Sequence, residues 1–263
     1  MKLSETAIPI AAHPGAPLAR QHEGWVEITL NRPAEHNRID PADLDALLAL
    51  LAALGAESGG MRALLITGAG ERTFSSGYTL QAIETAADER FERLLDTIET
   101  LPFVTIALLN GNVYGGATDL ALCCDIRIGV PGIGVLIPAA RLGVHFYPGG
   151  LRRCVTRLGL AAASRLLLTG MAIDAEEMLR IGFLSEMVER GSLEARIARL
   201  REAIAQTEPG AVAAMKRHLL AFAGAGVSAA QIAEMGDAYR ASLASPDLRR
   251  RLEAWRGGRR PKG

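Results

Sequence analysis

The sequence predicts an α/β fold in which a parallel sheet is built through strand-to-helix crossovers, followed by a helical C-terminal third. Three observations predict it. Short apolar runs alternate with helical segments as far as Ile128, most of those runs stop at glycine or asparagine turns, and beyond Gly150 the apolar residues recur at helical spacing.

Trp25-Val26-Glu27-Ile28-Thr29-Leu30 alternates at the strand period and ends at the turn Asn31-Arg32-Pro33. Asp40-Pro41 then starts a helix carrying Leu44, Leu47, Leu48 and Leu51. A second strand, Ala63-Leu64-Leu65-Ile66, stops at Thr67-Gly68-Ala69-Gly70. A helix around residues 89 to 101 leads to a third, Phe103 to Leu109, and the helix-like segment Thr118 to Cys124 leads to a fourth, Asp125-Ile126-Arg127-Ile128. Neighbouring parallel strands need crossovers of this length. Ala161 to Leu168, Ala175 to Ile181, Leu193 to Gln206, Ala211 to Phe222 and Ala229 to Leu243 read as helices. The chain divides into a loose lead-in at 1–22, where prolines block helix, an α/β core at 23–190, and a helical region at 191–263.

Composition narrows the function classes. Lys+Arg and Asp+Glu balance at 29 each, so no overall field recruits nucleic acid or a membrane surface, and an anionic ligand must be met by local cations. A hydrophobic share of 49% over 263 residues supports one sizeable core. Cys123, Cys124 and Cys154 are an odd set without metal-ligand spacing, so no metal site is expected and a reducing, cytoplasmic setting fits. Pro9, Pro14 and Pro17 interrupt any signal-peptide core, and no apolar run is long enough to span a bilayer.

Most familiar glycine patterns fail. Gly68-Ala69-Gly70 follows a strand, but Thr73 stands where a dinucleotide fingerprint needs glycine. No phosphate loop and no Gly-x-Ser-x-Gly elbow occurs, which leaves Ser75 and Ser76 as loop hydroxyls. Two loops remain: Phe74-Ser75-Ser76-Gly77-Tyr78-Thr79-Leu80, and Asn110-Gly111-Asn112-Val113-Tyr114-Gly115-Gly116-Ala117-Thr118-Asp119-Leu120. Both follow apolar strands, and such loops gather at the carboxyl edge of a parallel sheet, where ligands bind. Gly115-Gly116 also opens a helix, whose dipole favours negative charge.

The succession Leu30-Asn31-Arg32-Pro33 with Asn37, Thr67-Gly68, Phe74-Ser75-Ser76-Gly77, Asn110-Gly111 to Asp125, Leu168-Thr169-Gly170 with Ala175, and Ile181-Gly182 resembles the enoyl-CoA hydratase/isomerase (crotonase) family, from Gly24 to Pro261. The resemblance implies a crotonase-like spiral of ββα units with a helical C-terminal trimerisation region, a homotrimer or hexamer, and an acyl-CoA thioester substrate. It implies no separate cofactor, coenzyme A arriving as part of the substrate. It also implies an oxyanion hole, at the peptide N–H groups of Tyr78 and Gly116, for the thioester oxygen as it becomes an enolate; one such donor is typically worth roughly 10²–10³ in rate.

A standard hydratase of this family uses two glutamates, and the matching positions here hold Asp119 and Ala139. Alanine carries no proton, and aspartate is shorter by one methylene. Asp119 is therefore either a displaced acid/base or a residue that holds its helix turn. The segment Ala139 to Gly150 aligns without a gap to a family loop that bears catalytic side chains in relatives of other chemistry, which makes His145 and Tyr147 further proton-handling candidates. Tyr114 joins Ala139 as expected pocket lining. For the nucleotide end of coenzyme A the candidate cations are Arg32, Arg38, Lys216, Arg259 and Arg260. The expected chemistry is double-bond isomerisation or carbon–carbon cleavage, including decarboxylation, rather than standard hydration. The competing expectations are a hydratase with a substitute acid/base, and a non-catalytic acyl-CoA binder or assembly subunit.

Overall fold

The computed structural model describes residues 6–56, 60–79, 89–224 and 229–256. In chain order the strands of its N-terminal part are β1 Thr6–Pro9, β2 Leu18–His22 and β3 Trp25–Leu30, followed by the helix α1 Pro41–Ala56. Three repeats of strand, strand, helix come next: β4 Ala63–Gly68, β5 Thr73–Ser75 and α2 Glu89–Thr100; β6 Val104–Leu109, β7 Asn112–Tyr114 and α3 Ala117–Leu122; β8 Ile126–Gly129, β9 Gly134–Leu136 and α4 Ala139–Leu142. The rest is α5 Pro148–Thr169, β10 Ile173–Asp174, α6 Ala175–Arg180, β11 Glu186–Met187, α7 Leu193–Ala205, α8 Pro209–Ala223, α9 Ala229–Leu243 and α10 Pro246–Arg256.

Each repeat places its first strand in one sheet and its second in another. The large sheet runs β1-β2-β3-β4-β6-β8-β11, parallel from β3 onward; the small sheet runs β10-β9-β7-β5, with β5, β7 and β9 parallel. Ile39 bridges Tyr78 in parallel, so the first turn contributes a single residue beside the small sheet. The chain therefore winds as a spiral of ββα turns, and three equivalent strand-to-helix loops stack at one end of the small sheet.

The large sheet is apolar on both faces, as parallel strands are when helices cover them. Leu64 and Ile66 face the main core, whereas Ala63 and Leu65, with Trp25, Ile106 and Ile128, pack against Ile197, Leu200 and Ile204 of α7. A smaller cluster joins Leu142 to Leu248 and Leu252 of α10.

The structure corrects two expectations. Residues 1–22 are not a loose lead-in throughout, because β1 and β2 pair antiparallel and β2 adds to β3. Pro9 ends the edge strand β1, and Pro14 and Pro17 fall between β1 and β2; prolines that forbid helix permit this arrangement. The two glycine-bearing segments are likewise not purely loops, since β5 overlaps the start of the first, β7 lies within the second, and the two strands pair with one another. Strands of three residues are too short to show a period. Among the described residues no helix is long and apolar enough to cross a membrane.

Candidate active site

A cleft of about 2250 Å³ opens where the three stacked loops meet α2, the start of α5 and α9. Tyr78 after β5, Gly116 after β7 and Ala139 after β9 all line it, each just past the second strand of its turn. The spiral, not sequence proximity, brings them together.

The first two loops touch backbone to backbone. Gly77 has φ +78°, and a Cβ there would lie 2.4 Å from the Ala117 nitrogen; one on Gly116 would lie 3.4 Å from the Tyr78 nitrogen and 3.1 Å from the Phe91 ring. Only glycine fits the first position, on both conformation and space. The loop is held from behind by the buried Asn37, whose Nδ2 donates to Thr73 O at 2.7 Å and to Ala69 O at 2.9 Å. Ser75 Oγ donates to Asn37 O at 2.7 Å and accepts from Gly77 N at 2.9 Å, so this serine is a loop brace. Ile39 N donates to Gly77 O and Ile39 O accepts from Thr79 N, a pattern that turns the Tyr78 N–H to the side away from Ile39.

Asp119 does not line the cleft. It is 0% exposed and sits behind the wall. Arg153, also 0% exposed, donates to it twice, Nε to Oδ1 at 2.7 Å and Nη2 to Oδ2 at 2.8 Å, and Tyr147 Oη donates to Oδ2 at 2.7 Å. Arg153 Nη1 also donates to Asp96 at 2.7 Å and to Glu99 at 3.0 Å, and Arg152 pairs with Glu99. Burial opposes charge on Arg153, but the adjacent Asp119 carboxylate overrides it and holds the guanidinium firmly protonated. Burial, and then the charge of Asp119, push the Tyr147 phenol well above its ordinary range, so it stays neutral. Burial pushes the Glu99 carboxyl up, yet the hydrogen bond and charges of its two arginines leave it below its ordinary value.

Tyr147 and His145 line the cleft, as do Tyr114 and Ala139. His145 is half-buried, its Nδ1 2.7 Å from Phe146 O. All four tyrosines of the sequence, Tyr78, Tyr114, Tyr147 and Tyr239, contribute to the walls. Tyr78 stacks on Phe91 at 5.2 Å, and Phe91 and Tyr239 both meet Tyr147 edge-on. The three cysteines are buried and unpaired, and burial pushes the Cys154 thiol up to about 12, far from nucleophilic use.

Of the five candidate cations, Arg38 lines the cleft and two others are buried away from it. Arg32 is buried away from the cleft, doubly bonded to Asp43 at 2.6 and 3.1 Å. Lys216 is buried elsewhere, its Nζ on Asp125 at 2.7 Å and Phe103 O at 3.0 Å. Each is consumed by an internal carboxylate that lies far away in sequence. Arg38 lines the cleft but pairs with Glu35 and Asp40. Arg259 and Arg260 lie outside the described residues.

Arg72 also lines the cleft and was not anticipated, and neither were Arg153 and Glu92. The last two had a readable signal. Glu92, Asp96 and Glu99 stand at i, i+4 and i+7 on α2, and Glu99 falls within the apolar stripe of Phe91, Leu95 and Ile98, a place for a carboxylate only where a cation meets it.

Residues 20–255 match the enoyl-CoA hydratase/isomerase family. A carnitinyl-CoA dehydratase from Citrobacter koseri is 32% identical over 202 residues, covering 74% of this chain and 77% of that protein. A short-chain-enoyl-CoA hydratase from Clostridium acetobutylicum is 29% identical over 205 residues, covering 75% and 78%. A solved methylmalonyl-CoA decarboxylase superposes with a TM-score of 0.82 over 96% of this chain and 99% of its own, at 20% identity, a likeness of fold.

Proposed function

The chain belongs to the enoyl-CoA hydratase/isomerase family, and from that premise we propose that it stabilises an acyl-CoA enolate between the peptide N–H groups of Tyr78 and Gly116. The observation that carries this reading is the meeting of those two residues at the cleft, permitted by Gly77, whose positive φ and lack of a Cβ let the two loops approach. When a thioester loses a proton or carbon dioxide at its α-carbon, negative charge collects on one oxygen. Two donors fixed beforehand favour that state over the neutral thioester.

The reactions favoured are double-bond isomerisation and carbon–carbon cleavage, including decarboxylation. Both need one proton-handling group. Standard hydration needs two, and here Ala139 carries none while the Asp119 carboxylate is engaged by Arg153 and Tyr147. Of the groups expected to move a proton, Tyr147 and His145 reach the cleft, and Asp119 acts only through the placement of Tyr147. The nucleotide end of coenzyme A lies toward Arg38 and Arg72, the cations on the same side as Tyr114 and His36. Met215, Leu219 and Phe222 form an exposed apolar stripe on α8 that suits burial between copies of the chain, as in a homotrimer or a pair of trimers.

The test is incubation of the protein with enoyl-, β-keto- and malonyl-type CoA thioesters in deuterated water. The expected result is turnover or exchange at the α-carbon. Binding with neither leaves a non-catalytic acyl-CoA binder for those acyl groups, and no binding at all overturns the acyl-CoA reading.

A further inference from the structure

Glu92 lies in the first turn of α2, on the cleft wall and half-buried. Its neighbour Phe91 presses on Gly116 and stacks on Tyr78, which fixes this turn of helix against the two amides of the enolate site. The Gly149 N–H at the start of α5 donates to Glu92 Oε1 at 3.1 Å; Oε2 takes no hydrogen bond among the described residues. One oxygen is thus anchored two residues from Tyr147, in the loop where Ala139 has removed the family's second glutamate, and the other is left for a ligand. Asp119 has both oxygens engaged, and Glu99 is held by Arg152 and Arg153. Among the described residues Glu92 has no arginine hydrogen-bonded to it.

We propose that Glu92 is the catalytic residue that exchanges a proton with the acyl chain, its Oε2 facing the α-carbon of a thioester held by Tyr78 and Gly116. The Cα–H bond breaks, its electron pair passes into the thioester as the enolate, and the proton goes to Glu92. Replacement of that proton on Glu92 by a solvent deuteron, followed by return of the deuteron to Cα, gives exchange, and delivery of the proton to the γ-carbon of a β,γ-unsaturated acyl group gives the shifted double bond. This inference rests on the enolate reading above.

Electrostatics supports the assignment. Burial raises the Glu92 carboxyl above its ordinary value of 4.5; the Gly149 N–H opposes this, Asp96 from the same helix and Asp119 from α3 push it further up, and Arg153 from α5 pulls it back. A carboxylate moved toward neutral pH is a better match for proton transfer there. If Glu92 merely capped α5, a glutamine, which keeps the acceptor for the Gly149 N–H, would serve equally well.

The experiment compares α-proton exchange in wild type and Glu92→Gln across pH. The wild-type rate is expected to rise through a limb above 4.5, and Glu92→Gln to lose roughly 10²–10⁴ in rate together with that limb. Affinity for a non-reactive thioether analogue should stay within roughly threefold. Exchange that persists in Glu92→Gln with an unchanged pH profile overturns the role of Glu92 and leaves the enolate site standing. Absence of both exchange and turnover in wild type with every thioester tested overturns the enolate reading and this one together, whereas turnover without exchange overturns the role of Glu92 alone. Should the glutamine variant not fold, the wild-type profile decides, because a rate without a limb above the ordinary carboxylate value excludes Glu92.

Discussion

Tyr147 donates its hydroxyl hydrogen bond to the Asp119 carboxylate at 2.7 Å, and Asp119 is wholly buried beneath the cleft wall that Tyr147 helps to form. Asp119 is thus a fastening point, with Arg153 closing the other side.

Asp119→Asn should therefore act mainly on stability. It leaves Arg153 buried beside a neutral amide, and breaking one side of a buried pair costs about 3–5 kcal/mol. Denaturant unfolding measures this; a change within about 0.5 kcal/mol, as at an ordinary surface site, would contradict the fastening role.

Gly116→Ala and Gly77→Ala should separate chemistry from folding. At Gly116 the new methyl meets the Phe91 ring and the Tyr78 nitrogen at distances small shifts can relieve, so the fold should persist while exchange falls by roughly 10²–10³. At Gly77 it would lie 2.4 Å from the Ala117 nitrogen with φ +78°, and the folded protein itself should be lost. Circular dichroism alongside the exchange rate reads both; full exchange activity in Gly116→Ala would count against the enolate site.

Lys216→Met should lower stability without altering affinity for coenzyme A thioesters. The ammonium is spent on Asp125, Phe103 O and Thr105 Oγ1, and because Asp125 is partly exposed the loss should lie at the low end of the about 3–5 kcal/mol for a broken buried pair. A weakened affinity at unchanged stability would restore Lys216 as a ligand residue.

Leu219→Asp combined with Phe222→Asp should reduce the assembled mass. These side chains are 69% and 81% exposed on α8, too apolar a stripe to leave in water, and two charges there oppose burial between subunits. Analytical ultracentrifugation decides, and an unchanged mass would place the subunit contact elsewhere.

Much of the fold was legible in the sequence because its signals are local. Apolar strands such as Ala63 to Ile66, the leucines of α1 and the glycine turns declare themselves within a few residues. The short strands of the small sheet were not legible, because β5 and β7 owe their existence to each other and to β9 rather than to their own composition. Arg32 and Lys216 looked like free cations for the same reason. Their carboxylate partners, Asp43 and Asp125, stand 11 and 91 residues away, and no local pattern reports a pairing across such a separation.

By itself the sequence determined the order of strands and helices, the two glycine loops, and the absence of a proton-carrying side chain at Ala139. Tertiary structure alone decided which groups meet. The spiral stacks Tyr78, Gly116 and Ala139 at one cleft, draws Asp119 under its wall, and turns Glu92 from a neighbouring helix toward it. The physical reason is that chain connectivity specifies local conformation over a few residues, whereas charge neutralisation and the fate of a proton depend on distances of a few ångströms between residues dozens of positions apart.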